Sequence, residues 1–327
     1  MGQAKGSKTK IIFGTETTFK TLPSPITAIV LPFVSESLRQ NRNLVESKTI
    51  KGTRNPSAPV RGNVDVAGDI TMELQPYLGK LFKHVLGSLT TSGTASSISH
   101  VYKVGDLPAG MVIEKWFTSD LTASQYFRYM GCKVNSLKIS VKPEGFIDAV
   151  VNIMGATETV STSSMDSDAS DLTAVGSYNP FDGFTASITR GGSSLGVATQ
   201  VDLTIENALD GTVYVLDGTG TRYYLPEGMV KLTGTLTALF TDMSLYNLAL
   251  NNTETSLVVT LSRGTGTGAL GNEKLIITCD EIIFQPTAPV VSGPGGILIE
   301  LPFVGYYSDG TNASALTFEL VTPSEQV

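Results

Sequence analysis

Two stretches of the chain alternate apolar and polar residues with a period of two and then switch to a helical period. In the first, Val64, Val66, Ile70, Met72 and Leu74 alternate with polar or small neighbours, as a strand does with one face in a core. Leu78, Leu81, Phe82, Val85 and Leu86 then fall on one face of a short helix, with Pro76 near its start and Gly87 at its stop. In the second, Val230, Leu232, Leu236, Ala238 and Phe240 alternate in the same way. Leu245, Tyr246, Leu248, Ala249 and Leu250 follow on a second predicted helix, which Asp242 is placed to cap.

The two stretches superpose. An offset of 166 residues carries Gly62 onto Gly228, Val66 onto Leu232, Gly68 onto Gly234 and Ile70 onto Leu236. A later strand repeats at an offset of 150, where Ile147, Ala149, Val151, Ile153 and Gly155 match Ile297, Ile299, Leu301, Phe303 and Gly305. Two offsets that keep their order, with a helix in the same place, point to an internal duplication. The expected organisation is a first unit over residues 1–157, a Ser/Thr/Asp-rich linker over 158–180 and a second unit over 181–327. A smaller loop of similar composition is expected over 88–99. Further strands are expected over 26–33, 111–117, 134–141, 186–189, 201–205, 255–261, 275–279 and 316–321. The chain therefore reads as mainly β, with two tandem β-sandwich or barrel-like units that each carry one short α-helix.

Composition agrees with that reading. Of 327 residues, 41% are hydrophobic and only 16% charged, so a large core is available while the surface leans on Ser, Thr and Gly, which favour strands and turns. Cys132 and Cys279 are too few for a disulfide framework, which suits a reducing compartment. Residues 1–10 contain no apolar run, so no signal peptide is expected. Gly6 stands where a myristoylation signal needs Ser or Thr. No apolar stretch approaches the length of a spanning helix, so no membrane insertion is expected.

Charge is unevenly distributed. Residues 1–160 carry 18 Lys and Arg against 12 Asp and Glu, and residues 161–327 carry 5 against 18. The basic charges are scattered among acids, which argues against a nucleic-acid groove. The split suits attraction between the basic half of one copy and the acidic half of the next.

Catalytic signatures dissolve when placed in context. Gly266, Gly268 and Gly271 form a literal G-x-G-x-x-G, but a strand follows where a dinucleotide site needs a helix, so a hairpin loop is expected. Asp166, Asp168 and Asp171 resemble a calcium loop without its glycine and its closing glutamate. His84, expected on the polar side of the first helix, and His100, at the start of a strand, have no partner at ligand spacing. Glu73, Glu144 and Glu300 are strand or turn carboxylates, and nothing selects a catalytic pair among them. The sequons at Asn251 and Asn312 carry meaning only in a eukaryotic secreted protein. No enzyme activity, cofactor or metal is expected.

Several ordered segments carry a family resemblance. They include Leu31-Pro-Phe-Val-Ser-Glu-Ser-Leu38, Gly52-Thr-Arg54-Asn-Pro56, Pro59-Val-Arg61-Gly-Asn63, Gly105-Asp-Leu-Pro108, Tyr126-Phe-Arg128-Tyr, Gly131-Cys-Lys-Val-Asn135, Pro143-Glu-Gly145-Phe, Gly218-Thr-Gly220-Thr-Arg222, Leu225-Pro-Glu-Gly228 and Gly293-Pro-Gly-Gly296. In this order they resemble the phage tail tube protein family, of the long non-contractile type with a duplicated tube domain. The resemblance implies a sandwich or barrel-like fold with a flanking helix, rings whose inner strands join into one barrel, and stacking of rings into a tube. It also implies a channel for the tape measure protein and later for DNA, contacts with tail terminator and distal tail proteins, and a place in the virion tail after assembly in the host cytoplasm. Other classes to weigh are a different β-rich virion protein, such as a decoration protein, and a secreted carbohydrate-binding protein.

If one chain holds two copies of the fold, three chains complete a pseudo-sixfold ring, with a six-chain ring as the alternative. Residues 47–59 and 209–225 precede the two matching strands and are expected to be loops that reach the adjacent ring, with Ser47, Gly52, Arg54, Asn55, Pro56, Asp210, Asp217, Gly220 and Arg222 as contact candidates. Asp65, Asp69 and Glu73 are candidates for the channel wall, although beside Val66, Ile70 and Met72 they do not read as a strict register.

Overall fold

A computed structural model describes residues 3–94, 97–117, 121, 123–169, 180–291, 293–310 and 312–323. The chain runs β1 (Lys10–Glu16), β2 (Ala28–Leu31), β3 (Ser35–Glu36), β4 (Arg39–Val45), β5 (Val60–Glu73), α1 (Gly79–Leu86), β6 (Gly87–Thr94), β7 (Ser97–Val104), β8 (Gly110–Phe117), β9 (Gln125–Val141), β10 (Asp148–Gly155) and β11 (Thr157–Ser161). It continues β12 (Ser187–Arg190), β13 (Ser193–Ser194), β14 (Ala198–Glu206), β15 (Lys231–Leu239), α2 (Ser244–Leu250), β16 (Thr255–Ser262), β17 (Lys274–Phe284), β18 (Leu298–Gly305) and β19 (Thr317–Thr322). The fold is mainly β with two short α-helices, as the patterning predicts. Among the described residues no helix is long and apolar enough to cross a membrane.

β9 organises the first half because it belongs to two layers. Residues 125–132 pair with β8 and with β11, and residues 133–141 pair with β10 and with β14. The strand turns at Gly131, whose φ of 64° suits glycine. One layer is β2–β1–β8–β9–β11. The other runs from β3 and β4 through β5, β10, β9, β14 and β15 to β18. β17 then carries the chain from β18 into a facing layer with β16 on one side and β19, β7 and β6 on the other. Ile139, Val141, Val201 and Leu203 of one layer face Leu257, Val259, Ile277 and Cys279 of the other. The sheet does not close within one chain: β3 and β4 pair with β5 and, among the described residues, with no other strand.

The order of pairings recurs. β2–β1–β8–β9–β11 with β9–β10–β5–β4 has its counterpart in β13–β12–β16–β17–β19 with β17–β18–β15–β14. Registers recur too: Val66 opposes Gly155 and Asp69 opposes Asn152, while Leu232 opposes Gly305 and Thr235 opposes Pro302. Shifting the first register by 166 on one strand and 150 on the other gives the second without remainder. The β6–β7 hairpin is an addition to the first half that extends the edge at β19. Two pairings, β9–β14 and β7–β19, tie the halves together, and one core cluster spans both.

Helix α1 sits where the periodicity places it. Leu81, Phe82, Val85 and Leu86 are buried, and Phe82 meets the rings of Tyr102 and Phe318 edge-on at centroid distances of 5.7 and 5.2 Å. Each such side chain contributes about 2 kcal/mol of burial. Gly87 ends the helix at φ 97°, where a Cβ would strike the carbonyl of Gly105. Asp242 accepts the N–H of Ser244 at the first residue of α2.

Three expectations change. Of residues 88–99, read as a loop, 88–94 lie in β6 and 97–99 in β7, which pair as antiparallel strands. Glu158–Ser161, read as the start of the linker, belong to strand β11 (Thr157–Ser161), because Thr and Val suit a pleated edge beside β9. After it, Met165 N–H and Ser164 Oγ donate to Glu114, and Ala28 N–H donates to Asp166, so this stretch is fastened to the sandwich. Asp171 and the rest of 170–179 lie outside the described residues. His84 is buried rather than on a polar face: Nε2 lies 3.0 Å from Thr15 Oγ1, and the ring packs on Phe13. Burial pushes its pKa down to about 3, so it is a neutral core residue.

Candidate functional site

Register builds one continuous outward face on the wide sheet. On β5 the even positions Val64, Val66, Ile70 and Met72 are buried, so Asp65, Asp69 and Glu73 all point to the opposite side. The three carboxylates therefore keep strict register, contrary to the expectation from sequence. The ladder extends this face across the sheet: Asp69 aligns with Asn152, Ser136, Glu206 and Lys231, and Glu73 aligns with Asp148, Ser140, Asp202 and Thr235. Glu300 lies opposite Thr237. Asp65, Asp69, Glu73, Asp148, Asp202, Glu206 and Glu300 thus stand against Lys138, Lys231, Arg39 opposite Ala67 and, at one end, Arg61. Thr71, Thr204, Thr233 and Thr237 fill the space between. A chain of amides crosses three strands, with Asn135 Nδ2 donating to Asn152 and Asn152 Nδ2 donating to Asp69 at 2.7 Å.

The two loops differ in their surroundings. Residues 46–59 join β4 to β5 and are exposed apart from half-buried Ser57. Ser47, Gly52, Arg54, Asn55 and Pro56 all lie in this projection, where Ser47 Oγ donates to Thr49 Oγ1 and Asn55 N–H donates to Thr53 Oγ1. Residues 209–225 instead fold back on the first half of the same chain. Val64 N–H donates to the Gly220 carbonyl at 2.7 Å, Tyr214 OH donates to the Val64 carbonyl at 3.0 Å, and Arg42 donates to Thr219 O. Asp210 and Asp217 cap turns by accepting from Thr212 and Thr219, and those bonds hold both carboxyls below the usual range.

Arg222 is not an exposed loop residue. It is 4% exposed, with Nε on the Gly211 carbonyl at 2.9 Å, Nη1 on those of Val66 and Gly155 at 3.0 and 2.7 Å, and Nη2 paired with Asp65. Close by, buried Lys133 donates to Glu227 at 2.8 Å and lies over the Tyr224 ring at 4.5 Å. Neither ion pair was read from sequence, because Arg222 reaches Asp65 across 157 positions and Lys133 reaches Glu227 across 94. The alternation signal around Asp65 does mark one end of the Arg222 contact.

Other candidate chemistry is structural here. Gly266, Gly268 and Gly271 have positive φ in the β16–β17 hairpin loop, the expected turn. Both cysteines are buried and free. His100 lies in β7 with Nδ1 beside Thr91 Oγ1. Among the described residues no cluster of His, Cys, Asp and Glu is arranged to hold a metal ion.

The fold thus presents an open sheet edge, a projecting loop and a hydrophilic face built by register. The family model described as phage tail tube protein matches residues 6–305, nearly the whole chain. The chain belongs to the phage tail tube protein family. Comparison with curated proteins finds no match. Membership makes the chain a structural component of the virion tail that self-assembles into a tube.

Proposed function

We propose that this tail tube protein consists of two tandem tube units, that three chains close into a pseudo-sixfold ring, and that the acidic, threonine-rich face lines the channel. The recurrence of strand order and register supports the duplication. Within one chain, β14 of the second half adds to β9 of the first. The counterpart of β14 is β3–β4, whose outer edge is open. The counterpart of the receiving part of β9 is the stretch after β17, where Gln285 N–H still bonds Pro302 O but the described residues form no strand before β18. Joining that edge to β3–β4 of the next chain repeats the internal contact and removes the free edges.

The single observation that carries the channel assignment is the charge of the face. Its carboxylates outnumber its amines, and register alone places them on the same side. A wall of this sign keeps phosphates off, whereas a basic wall would hold them by counterion release. The tape measure protein during assembly, and DNA during ejection, would pass over hydroxyls and carboxylates with little to grip. In this reading the protein has no catalytic role. It is assembled in the host cytoplasm and meets the terminator and distal tail proteins at the two ends of the tube.

Symmetry-averaged electron microscopy of the purified protein tests the ring, with three chains per ring expected and six overturning the duplication reading. Lumen charge is tested by Asp202→Lys with Glu206→Lys. Tubes of that variant should retain DNA fragments at low salt and release them as salt rises. Retention equal to that of the unaltered tube would remove the face from the channel.

A further inference from the structure

We propose that an apolar groove of about 480 Å³ at the end of the second half receives residues 47–59 of a second copy of this chain, side by side in the same ring. The proposal rests on the three-chain ring and names the surface that joins its members. Met229, Val230, Leu232, Val304, Tyr306 and Tyr307 line the groove. Met229 is 86% and Tyr307 60% exposed, a costly arrangement for a surface that stays in water.

The molecule contains its own template for the occupant. The offset of 166 carries Val64 onto Val230 and Val66 onto Leu232, and the offset of 150 carries Gly155 onto Gly305. In the first half that surface is covered by residues 209–225, through Gly220 and Tyr214 on Val64 and through Arg222 on Val66 and Gly155. Val64 is accordingly buried, whereas Val230 is only half-buried. The covering segment follows β14, so its counterpart follows β4 and is the exposed loop at 46–59. The same offset carries residues 46–59 onto 212–225, equal in length, and sets Gly52 (φ 71°) on Gly218 (φ 77°). One unit lays its loop on the unit before it within a chain. The first unit of the next chain then lays its loop on the groove of this one.

The chemistry of the loop fits the change of site. Residues 47–59 hold Lys48, Lys51 and Arg54 and no carboxylate. Around the groove, Glu254 accepts the Tyr306 hydroxyl, Glu281 O accepts the Tyr306 N–H, and Asp309 follows in the next turn. Where the internal contact is pinned by Arg222 on Asp65, the corresponding residues are Pro56 and Lys231. An apolar seat with a charged rim therefore replaces a buried ion pair, which suits a contact that forms only on assembly.

A photoreactive benzoylphenylalanine in place of Met229 tests this in the full-length chain, with unlabelled and ¹⁵N-labelled chains mixed before assembly. Expected are cross-linked peptides of mixed isotope that join position 229 to residues 47–59, and denaturing-gel bands that end at the trimer. A ladder that runs past the trimer would place the contact between rings and overturn the proposal. Rings seen by microscopy without that cross-link would overturn the docking and leave the ring. Chains that stay dispersed at every concentration would overturn the ring and the docking together.

Discussion

Replacing Arg222 separates two roles for the segment that carries it. Sequence position suggested a contact with a neighbour, whereas the structure makes the guanidinium a pin between the second half and the start of β5. In Arg222→Ala, the carbonyls of Gly211, Val66 and Gly155 lose their donors and Asp65 loses its partner. A hydrogen bond from a charged group contributes roughly 1.5–3 kcal/mol, but the bonds share one group and do not add. Asp65 is about half exposed, so its ion pair is screened and adds under about 1 kcal/mol. The expected loss is about 3–5 kcal/mol, in the range for removing one buried charged partner. Arg222→Lys should lose about half as much, because one ammonium cannot span a fork of four acceptors. Asp65→Asn should cost less than about 1 kcal/mol. Urea unfolding of the unassembled chain, followed by circular dichroism, measures all three. A loss under about 1 kcal/mol in Arg222→Ala, with assembly abolished, would refute the pin and restore a role for Arg222 between chains.

Three further outcomes are expected. Gly68→Ala and Gly234→Ala should each cost about 2–4 kcal/mol in the same assay, because a Cβ would lie 2.4 Å from the Leu38 backbone in one case and 2.3 Å from the Phe303 ring in the other; a loss confined to one of them would break the equivalence of β5 and β15. Burial raises the Glu16 pKa to about 7, against the N–H bonds from Gly131 and Lys20. The stability this contributes is complete below the unfolded value near 4.5 and fades as pH rises through about 7. That is roughly 3 kcal/mol between the two limits, so Glu16→Gln should flatten the stability profile between pH 5 and 8, and an unchanged slope would show that Glu16 is not its source. Leu216 stays fully exposed although its loop covers the first half, so Ile50, 166 positions earlier, should likewise stand clear of the groove, and both tips should touch the adjacent ring; Ile50→Ser with Leu216→Ser should give rings that sediment singly, and tubes of normal length would exclude that contact.

Much of the fold was legible in order along the chain. Period-two alternation placed β5, β10, β15 and β18, the Pro76 to Gly87 stretch placed α1, and the pair of offsets anticipated registers that the ladder then reproduced. Local composition misled where tertiary pairing decides. Residues 158–161, 88–94 and 97–99 have the polar make-up of loops, yet a neighbouring strand edge recruits their backbone groups. His84 looked polar on a helical wheel, but Thr15 and Phe13 approach it from β1, a strand that the wheel does not contain.

The sequence by itself determined the elements, their repetition and the absence of a recognisable catalytic constellation, because these depend on spacing along the backbone. Only the tertiary structure decided that Asp65, Asp69 and Glu73 share one face with carboxylates from three other strands, that Arg222 is buried, and that one groove is covered while its counterpart stands open. Those facts depend on which distant strands meet and on which side of the pleat each residue falls. Bulges and corner strands such as β9 set both, and they do so through contacts spread over the whole chain.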